Sequence, residues 1–170
     1  MELEQFLENS KHRFSFDAWP RRVELAAQAK VRAFTLDPAS FANDWSFEQR
    51  LVHGDAGYCD YFNNLDNPKQ RVMVRVSEYP SHEDALLALL FNLTQSTAPT
   101  LPRLDERGIN LGDVGFCGHG EEITSLIFVR LNVLIDIRSI GDEPVDVLAL
   151  AQHTDDQIQA LVYEHAVPNR

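Results

Sequence analysis

The clearest pattern along the chain is the period-two alternation of RVMVRVSEY. Val72, Val74 and Val76 fall on one side and Met73 and Arg75 on the other, which predicts a half-buried strand. NVLIDIRSI repeats it with Val133, Ile135 and Ile137. Trp45–Val52, Gly57–Phe62, Val114–Cys117 and Ser125–Arg130 read as further strands, separated by turn signals at Gly54-Asp55, Asn63–Gln70, Gly118–Glu122 and Leu131-Asn132.

Helical texture follows each strand group. Ser81 is placed to cap a helix whose first turn carries Glu83 and Asp84 near the positive dipole end. That helix, DALLALLFNLTQ, is apolar nearly all round, so it is expected to be well covered. A last helix is predicted over 145–162, with Val147, Leu148, Leu150, Ala151, Ile158 and Leu161 among its apolar positions. Upstream, residues 2–9 form a short amphipathic helix with Leu3, Phe6 and Leu7 on one face, and 20–34 are rich in helix formers behind a proline.

One string occurs twice: GDAGYC at 54–59 and GDVGFC at 112–117, with the only two cysteines in the same slot. A shift of 61 places Val72, Val74 and Val76 on Val133, Ile135 and Ile137, and ALLAL (85–89) on DVLAL (146–150). The expected architecture is therefore α+β. Internally duplicated strands-then-helix units form a mostly antiparallel sheet, with helices packed on one face and an N-terminal helical segment added. The chain reads as a single domain, 1–170, with that segment at 1–44, a first repeat half at 45–97 and a second at 111–163.

Composition bounds the function. At 170 residues, 44% hydrophobic and 24% charged, the chain can build one ordinary core. No apolar run is long enough to cross a bilayer, so no membrane partner is expected. The acidic amino terminus lacks a signal peptide's basic and apolar regions, which makes a cytoplasmic location the expectation. Residues 1–40 hold six Lys/Arg and six Asp/Glu, whereas 41–170 hold nine against 20, which accounts for the whole formal charge of −11. Such a body repels phosphate backbones, so nucleic acid is not an expected partner. Lys11, Arg13, Arg21, Arg22, Lys30 and Arg32 are expected to dock the N-terminal segment onto the acidic body.

The candidate chemistry gathers around the repeated string. His53, Cys59, Cys117 and His119 are residue types that zinc favours, but their spacings of six and two fit no standard pair, so no metal is assigned. A Cys59–Cys117 disulfide requires both residues near a pseudo-twofold axis and would not persist in a reducing compartment. A Cys117–His119 catalytic pair suffers from its acidic surroundings, so both cysteines are read as small buried hydrophobes. Asp55 and Asp113 are read as acceptors of backbone N–H groups in tight turns. Arg75 and Asp136, equivalent under the 61-residue shift, are expected to face each other as a cross-strand ion pair.

P-loop, Rossmann, nucleophile-elbow, zinc-protease and EF-hand signatures are all missing, which weighs against an enzyme. No catalytic residue and no cofactor is assigned. The leading expectation is a non-catalytic protein that acts through a protein surface, as an adaptor, immunity-type or accessory factor. The rival is a small-molecule or metal-binding domain with a site where the two GD turns converge, at Asp55, Cys59, Asp113, Cys117 and His119.

Overall fold

A computed structural model describes residues 3–22, 29–30, 44–54, 56–96, 98 and 100–166. The elements run α1 (Leu3–Arg13), β1 (Trp45–His53), β2 (Gly57–Asn64), β3 (Arg71–Glu78), α2 (His82–Thr94), β4 (Val114–Cys117), β5 (Ser125–Arg130), β6 (Val133–Ser139) and α3 (Leu148–Ala166). Short 3-10 turns lie at Phe16–Ala18 and Asp105–Arg107. The six strands form one antiparallel sheet in the order β1-β2-β3-β6-β5-β4, and with the helices this is an α+β fold.

Alternation along the strands decides what each face of the sheet carries. Val72, Val74, Val76, Leu126, Phe128, Val133, Ile135 and Ile137 point to one face, where they pack with Leu150, Ala151 and Ile158 of α3. Val114, Phe116, Ile127, Val129 and Leu134 point to the other, where Leu86, Leu89, Leu90 and Leu93 of α2 cover them. Phe14, Phe16 and Trp19 join this second cluster, and Trp19 and Phe14 both pack on the Phe116 ring.

The helices therefore do not share a face, contrary to the sequence expectation. β5 and β6 are apolar at successive positions, so both of their faces need cover, and one helix goes to each. A twofold perpendicular to the sheet would relate β3 to β6 and keep the two helices on one side. The strand order is symmetric about the β3/β6 seam, but the helix placement is not.

Local chemistry sets the ends of the elements. Ser81 is extended and accepts the Asp84 N–H at 3.0 Å, capping α2 as its sequence implies. α2 is less covered than its apolar composition suggests, because Leu87 and Phe91 face solvent. α3 opens later than position 145, because the Val147 N–H is bound to the Ile123 carbonyl and Asp146 accepts the Leu148 N–H at 2.8 Å. The helix expected over 20–34 lies outside the described residues apart from 20–22 and 29–30.

Candidate functional site

The two GD strings occupy different places in their halves. The first spans the β1–β2 turn and runs into β2, the middle strand of its meander, whereas the second runs into β4, an edge strand. Cys59 and Cys117 consequently point to opposite faces, as the register through β3, β6 and β5 requires. Four strand spacings separate β2 from β4, about 19 Å. Both cysteines are buried and free. Of the expected cluster, Cys59 is thus held apart from Asp113, Cys117 and His119, which lie along β4 or just beside it, and Asp55 lies outside the described residues.

Each placed residue has a local role. Cys59 is fully buried, and burial pushes its thiol pKa up against the opposing influence of Tyr61 and Arg75. Cys117 Sγ lies 3.6 Å from Nη1 of Arg107, whose guanidinium also donates to the Gly118 and Glu121 carbonyls. His119 Nε2 sits 2.7 Å from the Thr100 carbonyl, so its ring partner is backbone rather than the thiol. His53 is exposed at the end of β1. Among the described residues, no group of three or more His, Cys, Asp or Glu is arranged to hold a metal ion.

Asp113 does accept a backbone N–H, but not from its own turn. Its Oδ2 takes the Leu131 N–H at 2.7 Å, across the sheet end in the β5–β6 turn. Its Oδ1 takes Arg22 at 2.5 Å and Arg130 at 3.1 Å. Arg130 also holds Asp155 of α3 through two bonds of 2.6 Å, and Asp155 accepts the Gly112 N–H. The second GD string is therefore a joint that ties two strands, α3 and the N-terminal segment. Gly112 has φ +69°, and a Cβ there would meet the Phe128 ring at 2.7 Å, so glycine is required on both counts.

The same end of the sheet anchors the N-terminal segment elsewhere. Asn132 is fully buried, accepts the Ala29 N–H at 2.9 Å and donates to the Tyr79 carbonyl at 3.0 Å. His82 turns its ring nitrogens to the Leu131 and Pro20 carbonyls, and Arg21 pairs with Glu83 at 3.0 Å. The basic residues Arg21 and Arg22 thus dock this segment on the acidic body. Asn132, Arg130 and Asp155 carried no sequence signal, because the partners that place them lie 17 to 103 residues away.

Arg75 and Asp136, equivalent under the shift of 61, stand directly opposite because β3 and β6 pair with these two positions at the centre of the seam. The ion pair goes elsewhere: both Asp136 oxygens are taken by Arg138 at 2.8 Å. Arg138 lies two residues along the same strand and so on the same face, which places its planar fork within reach of Asp136. On the other face, buried Asp60 holds Arg50 at 2.6 and 2.7 Å, and that guanidinium stacks on Tyr58 at 3.7 Å. Burial pushes the Tyr58 hydroxyl pKa well above its ordinary value.

The two sheet edges differ. β4 is covered by the incoming chain: Cys117 N–H donates to the Pro102 carbonyl, Leu104 N–H to the Gly115 carbonyl, and Arg103 bridges Phe116. No described strand pairs with the outer edge of β1. β1 also exposes three large apolar side chains: Phe47 (45%), Leu51 (43%) and Val52 (71%). No helix among the described residues is long and apolar enough to cross a membrane. No family model, no curated protein and no solved structure matches this chain.

Proposed function

We propose that the protein is a non-catalytic binding module, of adaptor, immunity or accessory kind, that engages a protein partner along the β1 edge. The observation that carries this reading is the exposure of Phe47, Leu51 and Val52 on an edge strand, while the opposite edge is covered by its own chain. Apolar residues on an edge are usually masked or replaced by charge, because an open strand pairs with whatever it meets. β1 has partial protection from a register shift between Phe47 and Gln49 and from Glu48 and Arg50. Beyond that bulge, Leu51 and Val52 stand side by side on opposite faces of the strand, so an added strand could be gripped from both sides.

The acidic charge suits the same role, keeping such a surface soluble and discouraging nucleic acid. The separation of Cys59 from Cys117 weighs against the rival site at converging GD turns. We also read the symmetric strand order as the trace of a duplicated unit whose last helix took the other face.

A photo-crosslinking residue at Val52, with a second at exposed Gln152 of α3 as control, tests this in the cells that make the protein. The expected result is one dominant heterologous adduct at position 52, absent at 152 and lost with Leu51→Glu. No adduct at 52, the same adducts at both positions, or an adduct only to a second copy of the chain overturns the reading.

A further inference from the structure

A cavity of about 470 Å³ opens beneath the C-terminal end of α2, on the face of the sheet that the helix covers. Its floor is one cross-sheet row: Arg75 of β3, Asp136 of β6, Ile127 of β5 and Phe116 of β4, each opposite the next in register. The row runs from charged to apolar. Leu93 and Leu101 continue the apolar end, and Asn92, Gln95 and Ser96 of the α2 terminus give the opening a polar rim.

The charge balance at the polar end is uneven. Arg75, Arg138 and Asp136 contribute two positive charges and one negative in a protein whose formal charge is −11. Both Asp136 oxygens are committed to Arg138, and Asp136 itself is buried. Arg75 is left exposed with no carboxylate partner among the described residues, and its charge faces the cavity row. A guanidinium there presents a fork suited to a carboxylate. An adjoining apolar floor favours a ligand that also has a hydrocarbon body, and the volume lies in the range that takes a small organic molecule.

We infer that this cavity binds a small amphipathic monocarboxylate, its anionic head on Arg75 and its apolar body over Ile127 and Phe116. Buried Asp136 with its Arg138 partner closes the charged end and admits one anion rather than a cation. The site is separate from the β1 edge and does not depend on the protein-binding reading. Arg75 lies 61 and 63 positions before Asp136 and Arg138, and the β3–β6 pairing brings the three together.

Titration of the methyl-labelled full chain with octanoate, followed by NMR, tests the inference, with octylammonium and octanol as charge controls. Octanoate is expected to saturate in the millimolar range or below and to shift the methyls of Ile127 and Leu93, while octylammonium does not. Arg75→Gln, at an exposed position, is expected to keep the spectrum of a folded protein and to weaken octanoate about tenfold. Arg75→Lys is expected to retain part of the affinity, because the charge remains. Equal binding of the three probes, unchanged affinity in Arg75→Gln, absence of saturation, or shifts confined to Leu51 and Val52 overturns it.

Discussion

Cys59 shows how one residue can be conspicuous in the sequence and wholly buried in the fold. It occupies the repeated slot that invited thiol chemistry, yet it is fully buried between Tyr61 and Arg75 with its pKa raised by burial. Tyr58 next to it is raised by burial as well. An acid with a raised folded pKa keeps its proton in the native state after the unfolded chain has lost it. Stability is therefore complete below the unfolded thiol and phenol values and is lost as pH rises through the folded ones. Urea midpoints should hold steady up to about pH 8 and fall by about pH 10, with a shallower fall in Cys59→Ala. A midpoint that rises with alkalinity would contradict the burial of both groups. Gly112 and Asp113 make the complementary point: the string packs closely on Phe128 and forms a joint to Leu131, Arg22 and Arg130.

At the scale of the element, local signals and packing contribute separately. α2 starts where Ser81 accepts the Asp84 N–H, with Glu83 and Asp84 against the positive end of the dipole. Ser81→Ala should lower unfolding stability by about 1 kcal/mol, read from denaturant midpoints at constant slope. A change in slope as well would mean that the substitution altered the compactness of a state and not simply the cap. Strand β1 has the opposite character. Its sequence reads as an ordinary strand, but its place at the end of the sheet leaves Phe47, Leu51 and Val52 exposed. Residue type was legible there; exposure was not, because it depends on which strand the sheet places outermost.

Over the whole molecule, the N-terminal segment is held by groups remote in sequence. Asn132 reaches Ala29 across 103 positions and Tyr79 across 53, and it is the buried amide that makes both contacts. Its φ-positive neighbour Leu131 shapes the two-residue reversal that points the Asn132 side chain inward. Asn132→Ala should remove the Ala29 N–H partner and leave buried polar groups unpaired. Hydrogen exchange at the Ala29 amide is then expected to accelerate toward the rate of an open peptide, while amides of β3 and β6 stay protected. Retained protection at Ala29 would show that the segment is held by its apolar and aromatic contacts instead.

The sequence by itself determined the six strands and the helix cap, because alternation in β3 and β6, turn signals around the other strands and capping chemistry all act over a few residues. It also marked Arg75 and Asp136 as equivalent positions, but that these two and not Val72 and Val133 stand opposite was set by where β3 and β6 pair. The tertiary structure decided the rest. Alternation says which side chains share a face but not which face a helix will take, and β5 and β6 are apolar on both. The same limit applied to the repeated string: closely similar letters entered different strands, so Cys59 and Cys117 came to opposite faces, on strands about 19 Å apart. The Arg75 cavity and the Asp113 joint arise from contacts between distant segments, and no local pattern encodes where such segments meet.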